Sequence, residues 1–106
     1  MEESPFVLKA FEIIASAGSA KSLLMEALAE AKAGNITEAE RLCDEAEQML
    51  LESHHVQTAL LQEEAAGTTH ELGLIIVHSQ DHLMTTMLLK DMMAYIIELY
   101  RRTAAQ

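Results

Sequence analysis

Basic residues are scarce in this chain. Its 106 residues include 7 Lys and Arg against 17 Asp and Glu, a formal net charge of −10. Contacts with nucleic-acid backbones or anionic membrane surfaces need clustered cations, so the balance argues against both partner classes. The same surface would steer a basic protein partner, and it would equally serve solubility alone. Cysteine occurs once, at Cys43, so no internal disulfide can form and a reduced, cytoplasmic setting fits. A lone thiol on a helix reads as a small buried apolar residue rather than a reactive group. The start, MEESPFVLKA, lacks the basic segment expected of a secretory signal. Long apolar runs are missing too. The longest aliphatic stretch, LGLIIV at 72–77, falls far short of the ~20 residues that span a bilayer. The expectation is a soluble protein with no direct membrane insertion.

What the chain does have is apolar content and clean punctuation. Half of its residues are hydrophobic, and its length suits one domain over residues 1–106 and is too short for two. Ser4-Pro5 reads as an N-cap followed by proline at the first helical position, and no further proline occurs. Gly34 and Gly67 stand where two helices should end in left-handed C-terminal caps. Asn35 with Glu38, or Thr37 with Glu40, offers a capping box after the first glycine, and Thr68 with Glu71 offers one after the second. These signals predict helices at about 5–33, 36–66 and 69–103, each roughly 45 Å long at about 1.5 Å per residue. In the middle helix Ala39, Leu42, Ala46, Met49, Ser53, Val56 and Leu60 form a heptad stripe, opposite an acidic face. Short turns make neighbours antiparallel, so the fold class is all-α: an up-down-up three-helix bundle. Gly18, inside the first helix, is expected to permit close packing against a neighbour.

The third helix departs from a simple amphipathic pattern. Ile76, Leu83 and Met87 form one apolar face, while Leu74, Ile75, Asp81, His82 and Thr85 gather around His78 on the other. Both faces hold groups ill suited to open water, which predicts self-association through the His78 face. Met84, Met87, Met92 and Met93 suit such an adaptable surface, although ordinary core positions account for at least half of them.

The stretch HSQDH at 78–82 sets two histidines one helical turn apart with an aspartate between them. A single histidine there would ordinarily be a hydrogen-bonded core or interface residue. Two with an Asp admit a metal site or a reactive histidine as well. Closed zinc sites want four ligands and catalytic ones three plus water, and HSQDH lacks the Glu of the zinc-protease motif. Glu52 with His55 supplies one Glu-x-x-His, the element that di-iron bundles use twice; with no second copy it counts as accidental. His54, His55 and His70 are expected at solvated or turn positions. Imidazole is also a good nucleophile near neutral pH, and a histidine one turn away can donate to phosphoryl oxygens while Leu74 and Ile75 exclude water.

VHSQDHLMTTMLLKDMMAYIIELYRR, together with HHVQT at 54–58 and AGSAKSLLMEAL at 17–28, closely resembles the lactose/cellobiose-type IIA component of the phosphoenolpyruvate-dependent sugar phosphotransferase system (PTS). Ser79 stands where many relatives have Ala or Gly, a conservative change. The resemblance covers nearly the whole chain and implies a cytoplasmic homotrimer of three-helix protomers, nine helices in all. It implies that His78 is phosphorylated by phospho-HPr and passes the group to the cognate IIB, which phosphorylates a β-disaccharide entering through IIC. His82 falls on the family's second active-site histidine, and Gln80 matches the motif. At about 100° per residue Gln80 points roughly 160° away from His78, toward the apolar stripe. Asp81 falls on an aspartate that meets its symmetry mates around a divalent metal on the threefold axis. Three such carboxylates need a cation or protons between them, and oxygen ligands favour Mg²⁺ over zinc. Two rivals remain. One is a two-component histidine phosphotransfer domain, whose usual basic residue three after the histidine is replaced by Asp81. The other is a trimeric helical interaction module with a structural metal and no phosphoryl chemistry. The pattern leans toward cellobiose-type members, while the sugar itself is read by the membrane component.

Overall fold

The computed structural model describes residues 5–69 and 73–104. Three helices follow one another: α1 over Pro5–Lys32, α2 over Ile36–Ala65 and α3 over Leu74–Ala104. Among the described residues there is no strand. The predicted ends of α1 and α2 hold to within a residue, the ordinary uncertainty of helix termini.

Both glycine caps form. Gly34 and Gly67 have φ of +90° and +100°, a region L side chains rarely enter. After α1, the Gly34 N–H donates to the Ala31 carbonyl and the Asn35 N–H to the Glu30 carbonyl; after α2, Gly67 and Thr68 repeat the pattern on Glu64 and Glu63. This paired closure satisfies carbonyls that the helix end leaves without partners.

The capping boxes do not form as expected. Asn35 is the last residue of the α1 closure, and at φ −88°, ψ 68° its side chain makes no cap hydrogen bond. Its amide instead donates to Glu30 at 2.7 Å, and Glu38 accepts from Arg41. The alternative frame fails because Thr37 lies inside α2 and Glu40 pairs with Arg101. Ser4 and Glu71, and with them the first N-cap and the third box, lie outside the described residues. Thr68 is in any case occupied in closing α2, and α3 begins at Leu74, five residues later than the predicted start. There the Gly73 carbonyl accepts the N–H groups of Ile76 and Val77.

α1 forms the largest part of the packing. Its buried row is Ala10, Ile13, Ala17, Ala20, Leu24, Ala27 and Ala31. The small residues let α2 and α3 approach closely, while the α2–α3 seam is the slightest of the three. Leu24 and Leu83 are wholly buried, each stabilising by about 1.5–3 kcal/mol. On α2 the buried row is Ala39, Leu42, Ala46, Leu50, Ser53, Gln57 and Leu60, so Leu50 and Gln57 replace the expected Met49 and Val56. The helix is rotated slightly from a strict heptad seam, because α2 packs chiefly on α1. Buried Ser53 is satisfied by a short hydroxyl–hydroxyl hydrogen bond to Ser16 of α1. Lys9 with Glu63, at 3.3 Å, links α1 to α2. Lys90 with Glu47, at 3.5 Å, and Arg101 with Glu40 link α3 to α2.

Candidate functional site

α3 delivers the site from one uninterrupted helix. Its inward row is Ile76, Ser79, Leu83, Thr86, Met93 and Ile97, all buried. Met87, expected on that face, is only half-buried. Ser79 lies at the floor with its hydroxyl donating to the Ile76 carbonyl at 2.7 Å, so it takes no part in the histidine face.

His78 and Asp81 are exposed, and His82 is half-buried. The two imidazoles stack with centroids 5.6 Å apart and planes inclined by 6°. Nitrogen lone pairs lie in the ring planes. Stacked, near-parallel rings therefore do not aim two lone pairs at one ion, which disfavours chelation by this pair. Among the described residues no group of three or more His, Cys, Asp or Glu could hold a metal ion. The stacked arrangement does suit one ring acting as nucleophile beside a second ring able to donate a hydrogen bond.

His82 is seated by α1. A Cβ added to Gly18 would lie 3.4 Å from His82 Nε2, so the close approach expected at this glycine exists, and its partner is the second histidine. On the other side of His82, its backbone carbonyl accepts the Thr86 hydroxyl at 2.7 Å. Thr85 donates to the Asp81 carbonyl at 2.9 Å.

Gln80 is turned to α2. Its side-chain oxygen accepts from Gln57 Nε2 at 2.6 Å, away from His78 as its helical position requires. Gln57 lies in the HHVQT stretch that carries the resemblance, but only its burial and pairing show its role, since a polar residue one place off the heptad stripe says nothing of its partner.

Along the outer face of α3 runs a row of exposed apolar residues: Leu74, Val77, Met84, Leu88, Met92, Tyr95 and Leu99. Asp81 falls in this row, between Val77 and Met84. No cation or hydrogen-bond donor among the described residues pairs with its carboxylate. Leu74 is 87% exposed, so within one protomer it shields nothing. Of the four methionines, Met93 is buried, Met87 half-buried, and Met84 and Met92 lie on the outer row.

The remaining candidates stand apart. His54 and His55 are exposed on α2, and His70 lies outside the described residues. Cys43 is half-buried; burial pushes its thiol pKa up, and Asp44 and Glu40 push the same way. No described helix is long and apolar enough to cross a membrane.

The protein-family model described as "PTS system, Lactose/Cellobiose specific IIA subunit" matches residues 8–101. The lactose-specific EIIA component of Streptococcus mutans serotype c is 48% identical over 102 residues, covering 96% of this chain and 98% of that protein. The crystal structure of the cellobiose-specific enzyme IIA from Bacillus anthracis superposes with a TM-score of 0.95 at 36% identity, covering 99% of this chain and 96% of that one. The IIA(chitobiose) chain solved in complex with HPr from Escherichia coli gives a TM-score of 0.81 at 32% identity, over 96% and 99% of the two chains. Family match, whole-length identity and superposed helices agree: this chain belongs to the lactose/cellobiose-specific IIA family, a component of the sugar phosphotransferase system.

Proposed function

We propose that the whole chain, residues 1–106, is a single cytoplasmic IIA domain that carries a phosphoryl group on His78 between HPr and a cognate IIB. The observation that carries this is the exposed His78 ring with His82 stacked beside it, in a chain similar to a IIA component solved with HPr. A lone pair of His78 attacks phosphorus on phospho-HPr. The new N–P bond forms as the bond to the HPr donor atom breaks, and that electron pair returns to HPr. Transfer to IIB repeats the exchange with His78 as the leaving group. His82 hydrogen-bonds the phosphoryl oxygens, whose charge is spread in transfer. Gln80 acts indirectly, by tying α3 to α2 through Gln57.

The working form is a homotrimer. The exposed apolar row on α3 would otherwise face water, and three protomers packed on it would cover Leu74, Met84 and Leu88. That packing gathers three Asp81 carboxylates, whose lack of a partner among the described residues fits a shared hard cation, Mg²⁺ by the chemistry of its oxygen ligands. When bound, such an ion would neutralise the charge of the Asp81 carboxylates that hold it. The final acceptor is a β-disaccharide of the lactose, cellobiose or diacetylchitobiose class. The names of the similar proteins span all three sugars, so the leaning toward cellobiose gains no support from them.

Incubation with phosphoenolpyruvate, the general phosphotransferase proteins and this chain tests the reading. A gain of one phosphoryl group mapped to His78 is expected. A chain that takes no phosphate rejects it in favour of an interaction module, and a chain labelled elsewhere rejects the assignment to His78.

A further inference from the structure

Gly18 of α1 approaches His82, the half-buried member of the histidine pair. His82 Nε2, at 3.4 Å, is what an added Cβ would touch, and beyond Gly18's chain neighbours and its own helix backbone nothing else described lies within 4 Å of that point. The backbone does not require glycine here. The positive-φ glycines among the described residues are Gly34 and Gly67, so Gly18 holds an ordinary helical conformation that any residue adopts. Glycine inside a helix is less favourable than alanine, and alanine is what α1 uses next to it, at the fully buried Ala17 and Ala20. Helix formation thus offers no reason for the missing methyl. His82 does.

Resting on the reading of His78 as phosphoryl carrier, we propose that Gly18 is a positioning residue for the transfer. Its bare backbone seats the His82 ring in the stack against His78 and leaves Nε2 uncovered. At 3.4 Å a methyl on α1 would stand at the near limit of ordinary van der Waals contact with Nε2, so the ring would yield by a few tenths of an ångström at most. A shift of that size disturbs the stack slightly, and the methyl covers the nitrogen with C–H groups where a phosphoryl oxygen would be received. Misplacing a reacting or stabilising group by about 1 Å can cost roughly 100-fold in rate, so a few tenths of an ångström cost several-fold.

The test is a double-mutant cycle read by rapid-quench phosphoryl transfer. Gly18→Ala and Gly18→Leu are made in the wild-type and in the His82→Ala backgrounds, and acceptance from phospho-HPr is timed separately from transfer to IIB. Gly18→Ala should resist urea at least as well as wild type, because alanine favours the helix, yet transfer roughly three- to fivefold more slowly. Gly18→Leu should be slower still. In the His82→Ala background both penalties should disappear, since residues acting through one group are not additive. Wild-type rates for Gly18→Ala, or equal slowing with and without His82, would overturn the proposal. A wild-type chain that takes no phosphate on His78 is a separate result, which rejects the carrier reading and this inference with it.

Discussion

Gln57 of α2 and Gln80 of α3 share an amide hydrogen bond of 2.6 Å, two residues along the helix from His78. Gln57 is only 9% exposed, so its amide has little access to water if the partner is lost. Gln80→Ala should therefore cost about 1–3 kcal/mol, most of it from the buried Gln57 amide left short of an acceptor. Replacing both glutamines by leucine should be nearly neutral, because no unsatisfied group remains. Urea denaturation of the single and double variants checks the sign, and a double variant as unstable as the single would refute the account.

His78→Ala should fold and assemble as wild type while accepting no phosphate, since no other nucleophile shares its geometry. Mass spectrometry after incubation with phospho-HPr reads the outcome directly. His82→Ala should still be labelled, but should pass the group to IIB more slowly. The loss of one hydrogen-bond donor to developing charge costs up to roughly 100- to 1000-fold, and less where the partner protein supplies other donors. A His82→Ala protein with wild-type onward transfer would make His82 a packing residue.

In the proposed trimer, Asp81→Leu would remove three clustered charges and extend the exposed apolar row through Val77 and Met84. Exchange of a buried ionic cluster for apolar groups is often neutral or stabilising by roughly 1–4 kcal/mol. The variant should form a trimer that ignores chelators, whereas chelation should loosen the wild-type trimer. Sedimentation with and without chelator decides between them. A monomeric Asp81→Leu, or a wild type indifferent to chelation, rules out an axial metal held by this residue.

Cys43 should alkylate slowly at neutral pH. Burial first, and the neighbouring carboxylates Asp44 and Glu40 second, raise its folded-state pKa, so little thiolate is present. The sign for stability follows from the same shift. The thiol's contribution is intact below the ordinary thiol pKa and is lost as pH rises through the raised folded value. Alkylation by iodoacetamide should accelerate with pH later than a free thiol does, and a Cys43→Ala variant should lose less stability than wild type in alkaline urea titrations. Fast alkylation at neutral pH would contradict the assignment.

Much of this protein is written locally. The two glycine caps, the three helical segments and the placing of His78 with His82 on one face follow from backbone conformation and helical spacing. These depend on neighbours within a few residues, which is why the chain alone states them. The expected start of α3 near residue 69 failed for a related reason. Thr68 can serve as a cap only if it is not already closing α2, and that competition is settled by the turn.

Only tertiary packing decided the rest. A helix may rotate about its axis by a fraction of the 100° between successive residues without disturbing its own hydrogen bonds. The choice of Leu50 and Gln57 over Met49 and Val56, and of Met93 over Met84 and Met92, is therefore made by the neighbouring helices. The contact between Gly18 and His82 joins residues far apart in sequence, and nothing local to either names the other. Sequence determined three helices and a pair of histidines; packing on α1 determined how each helix is turned, and so which side chains stand beside that pair.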